Sequence, residues 1–193
     1  MKRSFLLLTA MLALAWASAE SLPFGKGKLT VTALTPASFR VQYEEQEMKA
    51  LPEWIYVTDE KVPLQKKVAN GVTVFTTKAG IALRVDTNQM VVSVADKAGK
   101  EVFRATEHTL QSSTLSGEPT YVATLKVNSP ADEHLFGLGQ FQDGYTDVRG
   151  LSRRLTQVNT QISVPMFLSN KGYGVLWNNY GMTEFNPSDL KEI

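Results

Sequence analysis

Few residues of this chain have types and spacing that could carry chemistry. Asp143 and Asp147 lie four positions apart in a Gly-rich stretch, and a pair of carboxylates is the arrangement that hydrolyses glycosidic bonds. On a loop, however, this spacing enforces no geometry, so we interpret both as solvated turn residues. His108 and His134 show no metal-ligand spacing, and we interpret each as a surface or capping histidine and predict no metal site.

Other catalytic signatures are weak in the sequence. Gly137-Leu138-Gly139 resembles the start of a phosphate-binding loop, but neither a helical pattern nor a partner acidic residue follows it. No serine lies in a nucleophile elbow, and no glycine-rich loop ends in Lys-Ser or Lys-Thr. From chemistry alone we predict no self-sufficient active site and no cofactor.

Composition excludes several classes of protein. The 193 residues contain no cysteine, which excludes a disulfide framework, a thiolate nucleophile, a cysteine zinc site and a lipidated N-terminal cysteine. Twenty basic residues against 19 acidic residues provide no electrostatic drive towards nucleic acid or anionic lipid. The apolar share of 43% is typical of a globular protein with a core.

The N-terminus has the pattern of an export signal. Lys2 and Arg3 precede an apolar run over residues 5–15, and Ala17-Ser18-Ala19 has the small-x-small pattern of a signal-peptidase site. The run is shorter than the ~20 residues that span a bilayer. We predict a signal peptide over residues 1–19 and a mature domain over residues 20–193, exported to the periplasm or the medium. The mature chain would carry 18 basic and 19 acidic residues, a net charge of −1.

Short runs of alternating apolar and polar residues follow one another after residue 28, as is typical of half-buried strands. The runs that predict strands are 29–33, 39–43, 54–57, 72–75, 81–85, 90–94, 101–104, 121–127, 166–169 and 173–177. Turn sequences at 96–100 and 170–172 predict hairpins. Residues 112–120 are interpreted as an exposed loop, and residues 137–162 as a long polar connection of the kind that often carries function. The fold predicted is an all-β sandwich.

Three segments resemble glycoside hydrolase family 31. Residues 133–141, EHLFGLGQF, resemble its F/Y-G-L-G-E/Q signature, and residues 155–169 resemble its N-T/R-D/E … P-F-x-x-S segment. Residues 170–180, NKGYGVLWNNY, match its N-R/K-G-Y-G hairpin. Gln140 and the sequence Gln142-Asp143-Gly144-Tyr145 are most similar to the α-xylosidase-like branch.

The resemblance implies a particular domain within a larger enzyme. Family 31 enzymes combine an N-terminal β-sandwich of the galactose mutarotase-like type, a supersandwich, with a catalytic barrel, and they are retaining α-glycosidases. Two barrel aspartates act as nucleophile and acid/base. The W-x-D-M-N-E nucleophile motif is absent from the sequence, which ends at Ile193, about where the barrel would begin. We therefore expect a sandwich domain truncated before the barrel and inactive by itself.

The resemblance also implies candidate sugar-binding residues. In the family, a loop of the sandwich reaches over the barrel mouth, and by motif position it corresponds to Asn159, Thr160 and Gln161. Many relatives have aspartate at the position of Gln161. The amide of Gln161 can donate as well as accept a hydrogen bond, but unlike a carboxylate it carries no charge. The alternative is that Asn159 and Thr160 merely close a turn. Tyr145 and Phe141 could each offer an aromatic face to a pyranose ring. The alternative for both is a place in the core, which is what we expect for Phe141.

Three functions from different classes remain open on the sequence. The first is the N-terminal domain of an α-glycosidase, with a carbohydrate such as an α-xyloside or α-glucoside as ligand and a catalytic barrel as partner. The second is a freestanding exported carbohydrate-binding module. The third is a protein-interaction sandwich, because a domain without its barrel should expose an apolar patch that favours association.

Overall fold

The computed structural model describes residues 18–46, 52–58 and 60–186, and every regular element in these ranges is a β-strand. This confirms the predicted all-β class. Most of the predicted signal peptide, residues 1–17, lies outside the described residues. Within the part of the chain that is described, no helix is long and apolar enough to cross a membrane.

In the described ranges, fourteen strands form four antiparallel sheets. The first sheet has the order β1-β2-β3, with β1 Ala19–Phe24, β2 Gly27–Thr35 and β3 Ser38–Glu44. The second is a meander of β4 Leu64–Ala69, β5 Val72–Thr77, β6 Ala82–Asp86, β7 Val91–Ala95, β8 Glu101–Leu115 and β9 Glu118–Val127. The remaining strands are β10 Leu135–Gln140, β11 Arg153–Leu155, β12 Ile162–Ser169, β13 Tyr173–Leu176 and β14 Thr183–Phe185. They form a sheet of order β10-β12-β13 and a pair β11-β14.

The main core lies between the first two sheets. Alternate residues of β2 are buried there, and they meet buried residues of β4, β5 and β6. The members of this cluster are Leu22, Phe24, Leu29, Val31, Ala33, Val62, Leu64, Phe75, Leu83, Val85 and Val92. Two sheets that bury one apolar face each against the other form a sandwich. A second, smaller core of Leu135, Leu138, Val148 and Leu155 lies at the β10–β12 end.

Nine of the ten predicted strand runs coincide with strands in the structure. The predicted hairpin at 96–100 is also confirmed, because the backbone N–H of Asp96 donates to Lys100 O at 2.9 Å and Gly99 has φ of +83°. The β12–β13 hairpin turns through Gly172, which has φ of +87°. Local alternation was sufficient for strands such as β2, β5 and β6, in which alternate residues are buried.

Residues 54–57 are not a strand, so that prediction was wrong. The Glu53 carboxylate accepts the backbone N–H groups of Ile55 and Tyr56, each at 3.1 Å. Glu53 also forms an ion pair with Arg40. These two N–H groups are therefore not available for hydrogen bonds to a neighbouring strand. Polar side chains compete with regular structure in this way.

The prediction of a loop over residues 112–120 was also wrong. These residues form the tip of a long β8–β9 ribbon, paired from Ala105↔Val127 to Leu115↔Glu118. The turn is only Ser116-Gly117, with φ of +52° and +86°, the backbone that two-residue hairpins require. Both faces of the ribbon are exposed at its tip, so its residues there are mostly polar on both faces. Such a composition resembles that of a loop, which explains the wrong prediction.

Candidate functional site

The Gly137–Gly139 segment is a β-bulge rather than a phosphate loop. The β10–β12 register shifts between Gly137 and Gly139, and φ is +124° at Gly137, +66° at Leu138 and +101° at Gly139. A Cβ on Gly139 would overlap the Ile162 carbonyl oxygen, so the backbones approach too closely for any side chain. The bulge turns Leu138 into the second core. The glycine pattern therefore shapes the sheet that carries the candidate residues, and the predicted polar connection shortens to residues 141–152 and 156–161.

Asn159 and Thr160 form the exposed tip of a tight turn that leads into β12. The backbone N–H and C=O groups of Val158 and Gln161 bond to each other at 3.3 Å in both directions. The sequence left two interpretations of these residues open, sugar binding and turn closure, and both placed them in one loop. The structure has a loop at this position. Their side chains are exposed, so they are accessible to a ligand.

Gln161 is directed back into the protein. Its Nε2 donates to Thr156 O at 2.8 Å and to Thr156 Oγ1 at 3.1 Å. Ser163 Oγ also donates to Thr156 O at 2.5 Å. Both amide N–H donors of Gln161 are therefore used to brace the base of the turn, and Asn159 and Thr160 are the members of this group that face solvent.

Tyr145 lies on the 141–152 connection and is 64% exposed. The connection is anchored on both sides of it: Asp143 forms an ion pair with Arg153, and the Arg153 guanidinium lies 4.3 Å from the centroid of the Phe141 ring. Phe141 packs against the second core, as expected. The Arg153 interaction lowers the pKa of the Asp143 carboxyl. Asp143 thus supports the loop that presents Tyr145.

Asp147 has a separate structural role. Its carboxylate lies 2.6 Å from His134 Nδ1 and accepts the backbone N–H groups of Leu135 at 3.1 Å and Arg149 at 3.0 Å. The hydrogen bonds from His134 and from the backbone lower the pKa of Asp147 to about 2. Asp143 is bonded to Arg153, and Asp147 is bonded to His134. We therefore interpret the two carboxylates as residues that stabilise the loop and not as a hydrolytic pair.

Glu133 is a buried carboxylate to which the sequence analysis gave no role. It is 1% exposed, and Ser169 Oγ donates to its Oε1 at 2.5 Å. The hydroxyls of Ser129 and Tyr173 approach the same group more loosely, and among the described residues Oε2 has no partner of good geometry. Burial alone raises the pKa of Glu133, but the three hydroxyls and nearby Lys171 outweigh it, so the pKa is lowered. Glu133 therefore ties the start of β10 to the β12–β13 hairpin.

One face of the β10-β12-β13 sheet is apolar and exposed. Alternate residues of β12 lie on it, and Phe136 and Leu176 join them because they pair with Leu168 and Met166. The six side chains, which we call the β12 apolar face, are between 38% and 51% exposed: Phe136, Ile162, Val164, Met166, Leu168 and Leu176. Contiguous exposed apolar surface is typical of an interaction site.

Sequence comparison decides the family. Residues 28–186 match the sequence model of the glycosyl hydrolase 31 N-terminal galactose mutarotase-like domain. The chain belongs to this family. The resemblance seen in the three motif segments is thereby confirmed, and the bulge, the Asn159–Gln161 turn and the β12 apolar face are features of a family 31 N-terminal domain.

The curated relatives that match this domain are much longer proteins. An uncharacterized family 31 glucosidase of Pseudescherichia vulneris is 42% identical over 33% of this chain and 12% of its own length. An α-xylosidase of Saccharolobus solfataricus is 38% identical over 33% of this chain and 10% of its own length. The matched third of this chain therefore covers about a tenth of the length of these relatives.

Solved structures share the fold across most of the chain. The GH31 α-xylosidase of Xanthomonas citri superposes with a TM-score of 0.75 at 22% identity, over 86% of this chain and 19% of that one. A GH31 α-xylosidase from a soil metagenome, complexed with xylose, superposes with a TM-score of 0.73 at 21% identity. The match covers 87% of this chain and 28% of that one. These likenesses support the sandwich fold of the family 31 domain.

Proposed function

We propose that this chain is the N-terminal domain of an exported retaining α-glycosidase of the α-xylosidase or α-glucosidase type. In this proposal it contributes carbohydrate contacts at the rim of the sugar pocket and leaves bond cleavage to a catalytic barrel. The match of residues 28–186 to the family model carries the proposal. Export rests on the N-terminal sequence pattern, and N-terminal sequencing of the periplasmic or secreted protein should begin at Glu20.

The Asn159–Gln161 turn supports the rim role. Its base is braced by Gln161 and Ser163 on Thr156, and its tip presents an amide and a hydroxyl to solvent. A preorganised loop binds with less loss of conformational entropy than a mobile one. Tyr145 adds an exposed aromatic ring on a loop anchored by the Asp143–Arg153 ion pair.

The β12 apolar face supports a partner domain. Six partly exposed apolar side chains on one sheet face would gain hydrophobic free energy when covered. We assign this face to the contact with the catalytic barrel. The paired substitutions Ile162→Ser and Leu168→Ser should weaken binding of a separately expressed family 31 barrel, whereas Val68→Ser, also at an exposed apolar residue, should not.

Two assays test the catalytic and binding parts of the proposal. The purified chain should not hydrolyse chromogenic α-xylosides or α-glucosides, because Asp143 and Asp147 are engaged in loop structure. Sustained turnover that copurifies with the chain would contradict this. Calorimetric titration with xyloglucan fragments should give weak binding that Thr160→Ala reduces.

A matched substitution provides the control for that titration. Thr114 is an exposed threonine near the tip of the long β8–β9 ribbon. Thr114→Ala therefore removes the same atoms from an exposed strand. Equal binding by the two variants, or stronger binding by Thr160→Ala, would exclude the rim role for the Asn159–Gln161 turn.

A further inference from the structure

Trp54 is the most exposed aromatic side chain described outside the candidate rim. It is 73% exposed and lies on the irregular segment 52–58, within which residues 54–57 were wrongly predicted as a strand. Tryptophan is usually well buried because its large apolar surface is costly to leave in water. This ring belongs to neither core cluster, so its surface is available to a ligand.

The segment that presents Trp54 is held on both sides of the ring. Glu53 receives two backbone N–H groups at 3.1 Å and pairs with Arg40. Hydrogen bonds from these N–H groups and the Arg40 interaction outweigh desolvation and lower the pKa of Glu53, so its carboxylate is charged at neutral pH. Tyr56 Oη donates to Leu34 O at 3.1 Å. Trp54 is therefore displayed on a braced backbone.

A second aromatic ring comes from the far end of the chain. The ring centroids of Trp54 and Tyr180 lie 5.5 Å apart with their planes inclined at 44°. Tyr180 Oη donates to Pro52 O at 3.2 Å, which fixes the contact, while the Tyr180 side chain is still 47% exposed. The two rings make one surface, which we call the Trp54–Tyr180 platform.

The surroundings of the platform differ from those of the β12 apolar face. Tyr180 follows the exposed amides of Asn178 and Asn179 in sequence, and Trp54 follows the Glu53 carboxylate. Glu53, Tyr56, Val57 and Thr58 of the same segment line an open cleft of about 300 Å³, to which Trp54 and Tyr180 do not contribute. An exposed pair of aromatic rings whose sequence neighbours are a carboxylate and two amides suits a ligand with an apolar ring face and a polar edge. The six side chains of the β12 apolar face are all apolar, so that face is better suited to contact an aliphatic protein surface.

We propose that the Trp54–Tyr180 platform binds a pyranose ring of an oligosaccharide, at a site distinct in its residues from the Asn159–Gln161 turn. The C–H face of the sugar stacks on the tilted rings, whose faces carry the negative part of the aromatic quadrupole. The hydroxyls at the sugar's edge meet the flanking polar groups. The choice of a saccharide rests on the proposed function, whereas the placement of the platform does not.

The test is calorimetric titration of the full chain with a xyloglucan heptasaccharide and with isomaltotriose. Trp54→Ala should weaken binding of at least one sugar about tenfold, the equivalent of one lost aromatic contact. Trp54→Phe should retain most of the affinity because it keeps a ring. Since Trp54 is exposed, both variants should keep the circular dichroism spectrum and Tm of the parent.

Comparison with Thr160→Ala separates the two sugar proposals. Loss of affinity in Trp54→Ala supports the platform, whether or not Thr160→Ala also loses affinity. Loss only in Thr160→Ala overturns the platform and leaves the proposed function intact. No measurable binding of either sugar, or a Trp54→Ala variant that changes only the sedimentation behaviour, overturns the platform as a saccharide site.

Discussion

Replacing the buried carboxylate of Glu133 tests how the candidate site is held together. Glu133→Gln keeps the shape of the side chain and removes its charge. A hydrogen bond to a charged group contributes about 1.5–3 kcal/mol, and Ser169 Oγ makes such a bond at 2.5 Å to a carboxylate that is 1% exposed. We therefore expect the free energy of unfolding at pH 7 to fall by about 1.5–3 kcal/mol, because the amide also directs an N–H₂ group at hydroxyls that donate.

The pH dependence provides an independent signature. The folded pKa of Glu133 is lower than its ordinary value. Its charge-linked stability is therefore fully present above the unfolded pKa of about 4.3 and is lost as pH falls through the folded pKa. The difference in stability between the parent and Glu133→Gln should be constant from pH 7 to about pH 5 and should shrink below about pH 4.

Urea unfolding followed by circular dichroism at pH 7, 5, 4 and 3 measures both effects. Glu184→Gln is the control, since Glu184 pairs with the exposed Arg154 at 2.6 Å and such pairs contribute about 0–1 kcal/mol. A Glu133→Gln variant as stable as the parent at pH 7 would refute the role assigned to the buried carboxylate. So would a difference that stays undiminished at pH 3.

Three further substitutions test the bulge, the loop anchor and the main core. Gly139→Ala should abolish folding or cost more than about 3 kcal/mol by thermal denaturation, because its φ is +101° and a Cβ would overlap β12; Gly172→Ala, with φ of +87° and open space around it, should cost only about 1 kcal/mol. Asp147→Asn should reduce the fall in Tm between pH 5 and pH 2.5. The pKa of Asp147 is about 2, and the stability linked to its charge is lost as the pH approaches that value. An unchanged fall in Tm would count against the role of Asp147 in holding the loop. Phe75→Ala should cost about 3–5 kcal/mol in urea unfolding because Phe75 is fully buried, and a loss below about 1 kcal/mol would be inconsistent with a packed sandwich core.

Local patterns predicted most of the strands and also explain the errors. The Leu29, Val31 and Ala33 alternation is buried in β2 as expected, because period-two patterning records which face of a strand is covered. The 54–57 run has the same residue types, but the Glu53 side chain takes its backbone donors. Composition cannot reveal such a competition, since it depends on where one carboxylate is directed.

The candidate site was predictable to a lesser extent. The motif segments located the turn of Asn159, Thr160 and Gln161, whereas the exposure of Tyr145 was left open between a binding face and the core. They did not show that the Gln161 amide is committed to Thr156. They also left Glu133 without a role, although it begins the F-G-L-G segment, because a lone acidic residue in a polar stretch is usually solvated.

The amino-acid sequence by itself determined the all-β class, most of the strand positions and the family of this domain, because alternation and motifs are properties of neighbouring residues. Only the tertiary structure decided that Glu133 is buried beneath Ser169 and that Trp54 lies against Tyr180. Those partners are 36 and 126 positions apart in the chain. Contacts over such separations are set by how the sheets pack, and no local pattern encodes them.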